Sequence, residues 1–428
     1  MECSSLYTLI LGLLFILGYA AITFENFLRV DKAATALLMA VILWTGFFLF
    51  GCYDHKHSIE SLLEHFTSVC QIVFFLLGAL VIVELISAHR GFSAISAFLN
   101  ISSKRLLLWV IGLITFFLSS VLDNLTTTIV MVSLLTQLLP KGEERWIFGG
   151  AIVIAANAGG AWTAIGDVTT TMLWIGGQIS AGYIMLTLFL PSFVCLIVAL
   201  GILSFLIKNT EVHKISETTQ KLEPYGLSVL ILGILMLMFV PVFKVLTGLP
   251  PFMGIFLGVG VLWLYTDIIH DHMPHREHLK MLSIFKKVDL ASLFFFTGIL
   301  LSVGVLASSH ILSSLAQWLS SKISHLEVIA TIIGLVSAVV DNVPIVAAAM
   351  GMYDLSSYPT DSPFWQLVAY CAGTGGSILV IGSAAGVVYM GIEKVTFGWY
   401  LRRIGPAALI SYFAGIFIHQ AQAWLFHT

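Results

Sequence analysis

Two Asp-Asn dipeptides, Asp123-Asn124 and Asp341-Asn342, each interrupt a long apolar stretch, and nothing else in the chain narrows its possible folds so sharply. The first stretch reads Ser119-Ser120-Val121-Leu122-Asp123-Asn124-Leu125 and the second Ser337-Ala338-Val339-Val340-Asp341-Asn342-Val343. An ionisable side chain at membrane depth costs at least ~2.5 kcal/mol on insertion scales, so such residues mark functional sites by default. The same polar pair at matching places in two halves points to a transporter built from a repeat.

The surroundings are those of a membrane protein. Of the 428 residues, 58% are apolar and 10% charged, with a mean hydropathy of +0.99, against roughly 25% charged in soluble domains. Ten stretches are long enough to cross a bilayer as helices: 6–23, 33–51, 66–88, 148–175, 183–207, 226–246, 251–270, 289–307, 366–390 and 405–424. The first of these has no basic region before it and reads as a membrane helix and not a leader. Segments 106–139 and 328–352 carry the Asp-Asn pairs and read as re-entrant hairpins, because broken backbone at that depth must be buried in protein or line a cavity. The expected fold is therefore an all-α polytopic membrane protein of about ten full spans plus two hairpins, with lipid as its first partner. A net charge of −3 gives no footing for nucleic acid. The five cysteines show neither disulfide nor metal spacing, and Cys70, Cys195 and Cys371 read as small core residues. No cofactor is implied.

The basic residues test this topology. Placing 17 of the 20 lysines and arginines on the cytoplasmic face leaves only Lys56, Lys244 and Lys322 outside, as the positive-inside rule requires. Turning one hairpin into a full span would spoil that split. Both termini then lie outside a cell (inner) membrane, and the polar segments 208–224 and 271–288 are cytoplasmic.

The repeat extends beyond the Asp-Asn pairs. Phe74-Phe75-Leu76-Leu77-Gly78 parallels Phe294-Phe295-Phe296-Thr297-Gly298, and Gly159-Gly160 with Gly166 parallels Gly375-Gly376 with Gly382. The offsets of 220, 218 and 216 drift slowly in one direction. Because 66–88 runs inward and 289–307 outward, the copies are inverted, a plan that places substrate at broken helices near the midplane. The expected organisation is 1–65 as N-terminal helices, 66–207 as the first repeat, 208–224 as a linker, 225–288 as connecting helices and a loop, and 289–428 as the second repeat. Helix breaks are expected at the two Gly-Gly pairs, although glycine pairs also serve close packing.

The polar groups are oxygen donors. The first half offers Asp123, Asn124, Thr126, Thr127, Asn157, Asp167, Thr169 and Thr170; the second offers Ser337, Asp341, Asn342, Ser377 and Ser383. Hard cations prefer oxygen, and buried carboxylates can hold either a monovalent cation or a proton. Ser383 stands where the repeat would place Asp167, so the second half carries less charge. The plainer alternative is that these Asp side chains cap helix ends. Glu84 and His89 could relay protons, or Glu84 could pair with His89 or Arg90. The remaining histidines, at 55–65 and 270–278, read as solvated loop residues, and Trp399 and Tyr400 as members of an interfacial belt.

Taken together, Glu84-Leu85-Ile86 with His89-Arg90-Gly91-Phe92, Leu122-Asp123-Asn124-Leu125-Thr126-Thr127-Thr128, Glu144-Arg145-Trp146, Ala156-Asn157-Ala158-Gly159-Gly160-Ala161-Trp162-Thr163, Ile165-Gly166-Asp167-Val168-Thr169-Thr170-Thr171, Val340-Asp341-Asn342-Val343-Pro344 and Gly382-Ser383-Ala384-Ala385-Gly386 resemble the NhaD family of sodium/proton antiporters. The resemblance covers roughly 66–420. It implies a two-repeat fold with paired hairpins, a homodimer, and exchange of sodium or lithium for protons, an activity that serves pH homeostasis. Two rivals remain. A carboxylate or arsenite carrier of the same superfamily would favour hydroxyls and helix N-termini over carboxylates. An intramembrane aspartyl protease also needs two embedded aspartates, but no Gly-x-Gly-Asp precedes Asp341.

Overall fold

Long uninterrupted apolar runs leave the backbone only one way to satisfy its polar groups in lipid, which is the α-helix. The computed structural model describes residues 5–23, 25–51, 54–99, 101–208, 210, 223–271, 274–323 and 325–426, and no strand occurs among them. The chain opens with α1 (Ser5–Thr23), the short α2 (Glu25–Leu28), α3 (Lys32–Phe50) and α4 (His55–Ala88). Next come α5 (Lys104–Ser119), α6 (Asn124–Leu138), α7 (Glu143–Ala161), α8 (Val168–Ile175) and α9 (Ala181–Leu206). Helices α10 (Gly226–Thr247), α11 (Pro251–Ile269) and the short α12 (Met281–Phe285) connect to α13 (Leu290–Ser308) and α14 (Ile311–Lys322). The chain closes with α15 (Leu326–Ser337), α16 (Asn342–Met352), α17 (Pro363–Gly375), α18 (Ala384–Glu393), α19 (Phe397–Arg403) and α20 (Gly405–Phe426).

Among the described residues seven helices are long and apolar enough to span a bilayer, or up to nine if two bent pairs each count as one span. Phe205 and Val245 are each 82% exposed, the outward-facing apolar surface of a chain whose solvent is lipid. The expected spans 148–175 and 366–390 are not single helices. Each stops at or just after its glycine pair, leaving non-helical segments at 162–167 and 376–383 before α8 and α18. The first break therefore lies just downstream of Gly159-Gly160, which stay helical, whereas the second begins within Gly375-Gly376, as expected. The other two breaks, 120–123 and 338–341, fall at the Asp-Asn pairs as expected. The expected loop at 55–65 is instead the first part of α4, capped by Asp54. Most of the 208–224 linker lies outside the described residues.

The copies share their internal joints as well as their order. Ser119 Oγ donates to the Ala156 carbonyl at 2.6 Å, and Ser337 Oγ donates to the Ala372 carbonyl at 3.0 Å. A Cβ on Gly159 would collide with the Phe116 carbonyl, and one on Gly375 with the Gly334 carbonyl. Only glycine lets each span press so closely on the helix that enters the break.

Packing divides the helices into two groups. Leu11, Ala36, Leu43 and Phe47 of α1 and α3 form a core with Phe295, Ile299 and Val305 of α13. The indole N–H of Trp44 fastens this group by donating to the Leu301 carbonyl at 3.0 Å. The four broken segments sit in the larger core, which runs through the remaining long helices and takes in Leu293, Leu300, Val303 and Leu306 from another face of α13.

Candidate cation and proton site

Every break ends in a helix N-terminus, and a side chain caps each one. The Asp123 carboxylate accepts from Thr126 N at 2.8 Å and from the Thr126 hydroxyl at 2.6 Å. Asp167 Oδ1 accepts from Thr169 N and the Thr169 hydroxyl, both at 2.8 Å. Asp341 Oδ1 accepts from Val343 N at 3.2 Å, and Ser383 Oγ from Gly386 N at 3.2 Å. Capping is thus real in all four places. It leaves each aspartate with spare acceptor positions, since an ionised carboxylate has about four, and the helix N-termini favour negative charge there. Capping therefore leaves these carboxylates free to bind a ligand as well.

Asparagines tie the breaks together. Asn124 Nδ2 donates to Asp167 Oδ2 at 2.6 Å and to Asn157 Oδ1 at 2.9 Å. Asn342 Nδ2, from the second copy, approaches Asp167 Oδ1 at 3.5 Å. Asn157 Nδ2 crosses the other way, donating to the hydroxyls of Ser377 at 2.8 Å and Ser383 at 3.0 Å. Asp167 is 1% exposed, and a charge so buried demands several donors. It has them from both copies.

Five of the expected residues, Asp123, Asn124, Asp167, Asp341 and Asn342, line one cavity of about 90 Å³. About 10–15 Å³ by the same measure admits one water, so a partly hydrated ion has room. Thr126, Thr127, Asn157, Thr169, Thr170, Ser377 and Ser383 stand behind this wall as the buried or half-buried support of its polar groups. The Thr170 hydroxyl donates to the Asp167 carbonyl at 2.9 Å, while that of Thr127 is buried with no partner among the described residues.

Several expectations need correction. Ser337 is spent on the Ala372 carbonyl and does not face the cavity. Neither Glu84 nor His89 lines it either. Glu84 is half-buried, with Lys287 as its charged neighbour, and Arg90 pairs with Glu223 at 3.6 Å instead. His270 is not a solvated loop residue: it and His89 are both 0% exposed, stacked, with their Nε2 atoms 2.9 Å apart. The Leu85 carbonyl can only accept, so His89 Nδ1 carries a proton toward it at 2.9 Å. His270 Nε2 must then be the donor of the pair. Its Nδ1 is buried without a partner among the described residues. Burial lowers His89, and burial with the neighbouring His89 and Arg276 lowers His270 to about 4. Tyr400 is also fully buried, its hydroxyl donating to the Ser377 carbonyl at 2.8 Å, so it is no part of an interfacial belt.

Sequence reasoning also missed residues. Lys32, Asp289 and Phe295 line the cavity, and Tyr19 lies beside Asp341. The repeat held one clue: Phe75 and Phe295, from the two Phe-Phe motifs, face the same cavity. Lys32 and Tyr19 lie outside the repeat and left no such signal.

A family model described as a citrate transporter matches residues 19–373. Sodium/proton antiporter 2 of Arabidopsis thaliana is 50% identical over 96% of this chain and 99% of its own length. Sodium/proton antiporter 1 of the same plant is 51% identical over 96% of this chain and 72% of its own length. The Na(+)/H(+) antiporter NhaD of Alkalimonas amylolytica is 29% identical over 99% of this chain and 92% of its own length. The chain belongs to the NhaD antiporter family. With its long apolar helices the chain is a multi-pass membrane protein.

Proposed function

We propose that the chain exchanges sodium for protons across the membrane, and that both compete for the carboxylates of Asp123, Asp167 and Asp341. The observation that carries this reading is the convergence of all three on one small cavity floored by capped helix N-termini. The oxygens there suit a hard monovalent cation. With sodium bound the carboxylates are ionised; as sodium leaves, protons take its place on the same oxygens, so the cargo alternates. Asn124, Asn157 and Asn342 hold the carboxylates in place during that swap. Thr126, Thr127, Thr169, Thr170, Ser377 and Ser383 complete the oxygen-rich shell. Ser337 acts as a clip at one break. Glu84 and His89 stand apart from the path.

The names of the relatives support exchange of sodium, and lithium belongs to the same ion chemistry. The cavity is walled by the N-terminal ends of α3 and α13, which the basic-residue distribution places on the cytoplasmic side. On this reading the structure faces inward, the copies are inverted, and the site opens outward when one packed group moves against the other. A citrate-like anion is disfavoured, since among the charged side chains lining the cavity Lys32 alone is cationic and four are aspartates.

Everted vesicles carrying a pH-sensitive dye test the reading. Sodium and lithium chloride should each release protons, whereas citrate should not. Apparent KM for sodium should rise as pH falls, because protons occupy the same oxygens. A proton signal with citrate and none with any cation would overturn the proposal.

A further inference from the structure

Lys32 sits where a loop charge would be expected, directly after the Asp31 cap that begins α3. Its side chain does not leave for solvent. The ammonium lies 4.9 Å from the centre of the Phe295 ring, a buried wall of the cavity, a favourable placement for a cation. From there it shares the cavity with Asp123, Asp167, Asp289 and Asp341, and it acts electrostatically on Asp341. Tyr19, on α1, lies beside the same Asp341. The N-terminal helices therefore reach the site at one carboxylate, and that carboxylate belongs to the second copy. Asp123, its repeat counterpart, lines the same cavity from the first copy.

This arrangement has a chemical consequence that rests on the proposed cation exchange. We propose that Lys32 is a tethered counter-ion of the binding site, which holds Asp341 in the empty carrier and lowers the affinity of the competing sodium ion. Lys32 begins α3, which packs with α1 and one face of α13, whereas Asp341 caps α16, whose apolar residues lie in the larger core. A sodium ion settling among the carboxylates meets a positive charge already in place. Binding is weakened and release to the cytoplasm is eased. Lysine suits this role, being a compact point charge on a flexible stem.

The test compares Lys32→Gln with Lys32→Arg in vesicles at alkaline pH, where protons compete least. Removing the charge should lower the apparent KM for sodium by about tenfold, equivalent to roughly 1.4 kcal/mol, and should lower kcat because the ion leaves more slowly. Lys32→Arg keeps the charge and should stay near the wild-type KM. A residue that only supports the fold would reduce kcat or yield without tightening KM. Should Lys32→Gln fail to turn over, calorimetric titration of the purified variant with sodium chloride still reads its affinity. A KM and a dissociation constant equal to or weaker than wild type would overturn the proposal. Absence of sodium-driven exchange in the wild type would instead sink the antiport reading itself.

Discussion

The two copies are built alike and charged differently. Their serine clips, their glycine contacts and their capped breaks match. At the second cap, however, Asp167 of the first copy faces Ser383 in the other, and Asn157 corresponds to Gly373. Beyond the ends of α4 and α13 the pattern repeats: His89 Nδ1 bonds the Leu85 carbonyl at 2.9 Å, and Ser309 Oγ bonds the Val305 carbonyl at 2.8 Å. The backbone joints are kept, while at the second cap and beyond the ends of α4 and α13 a titratable group in the first copy is matched by a serine in the second. At these positions architecture is shared and charge is not.

The strongest attack on this contrast is to remove charge from each side. Asp123→Ala, Asp167→Ala and Asp341→Ala should each lower kcat/KM for sodium by more than the ~100-fold typical of losing an outer-shell partner. Ser383→Ala should cost only a few-fold by the same comparison. Equal losses for Asp167→Ala and Ser383→Ala, at equal membrane yield, would erase the division of labour.

Asn157 comes next, because it serves both copies. Its replacement by Ala should weaken sodium affinity by roughly 10–100-fold, more than Ser377→Ala or Ser383→Ala alone. Sodium titration of the purified variants ranks them directly. An Asn157→Ala variant no worse than Ser377→Ala would show that the bridging amide carries little.

The serine clips should behave as equals. Ser119→Ala and Ser337→Ala each remove one buried hydrogen bond, at a cost of about 1 kcal/mol, and should leave KM nearly unchanged. Thermal unfolding in detergent would register the pair. A KM change confined to Ser337→Ala would return that residue to the binding site.

The smallest expected effect concerns pH. Burial lowers His270 to about 4 and lowers His89, against about 6.5 for free histidine. The neutral forms are the ones the fold favours, so their contribution is complete above about pH 6.5 and fades as pH falls toward 4. Glu223, Arg276, His278 and Lys280 surround the pair and modulate it. His270→Gln should flatten the loss of melting temperature between neutral and mildly acidic buffer, whereas Ser309→Ala should leave that slope untouched.

Much of this was legible in the sequence because the informative residues violate their surroundings. A carboxylate in an apolar run has few bland explanations, and a second copy at a slowly drifting offset removes most of those. Asp123, Asp341 and their asparagines stand out in this way, and Asp167 by its apolar run alone. The position of one break was less legible: Gly159 serves close approach, and the chain leaves that helix only after Ala161, whereas in the second copy it leaves at Gly375. Lys32 was read as a loop charge and His270 as a solvated one, because a residue at a helix end is assigned by its neighbours in space. Those neighbours, Asp341 and His89, lie far away in sequence.

The Asn157 amide has a final consequence, for how such a molecule can be assembled. Its carbonyl serves one copy and its amino group the other. A carrier made by pairing two identical first copies would present two such amides across the seam, and a second Asp167 in place of Ser383. The paired hydroxyls that now accept from Asn157 would be gone, and a carboxylate would stand where the Ser383 hydroxyl now does. The halves are not interchangeable parts, and the working site exists only in the asymmetric whole.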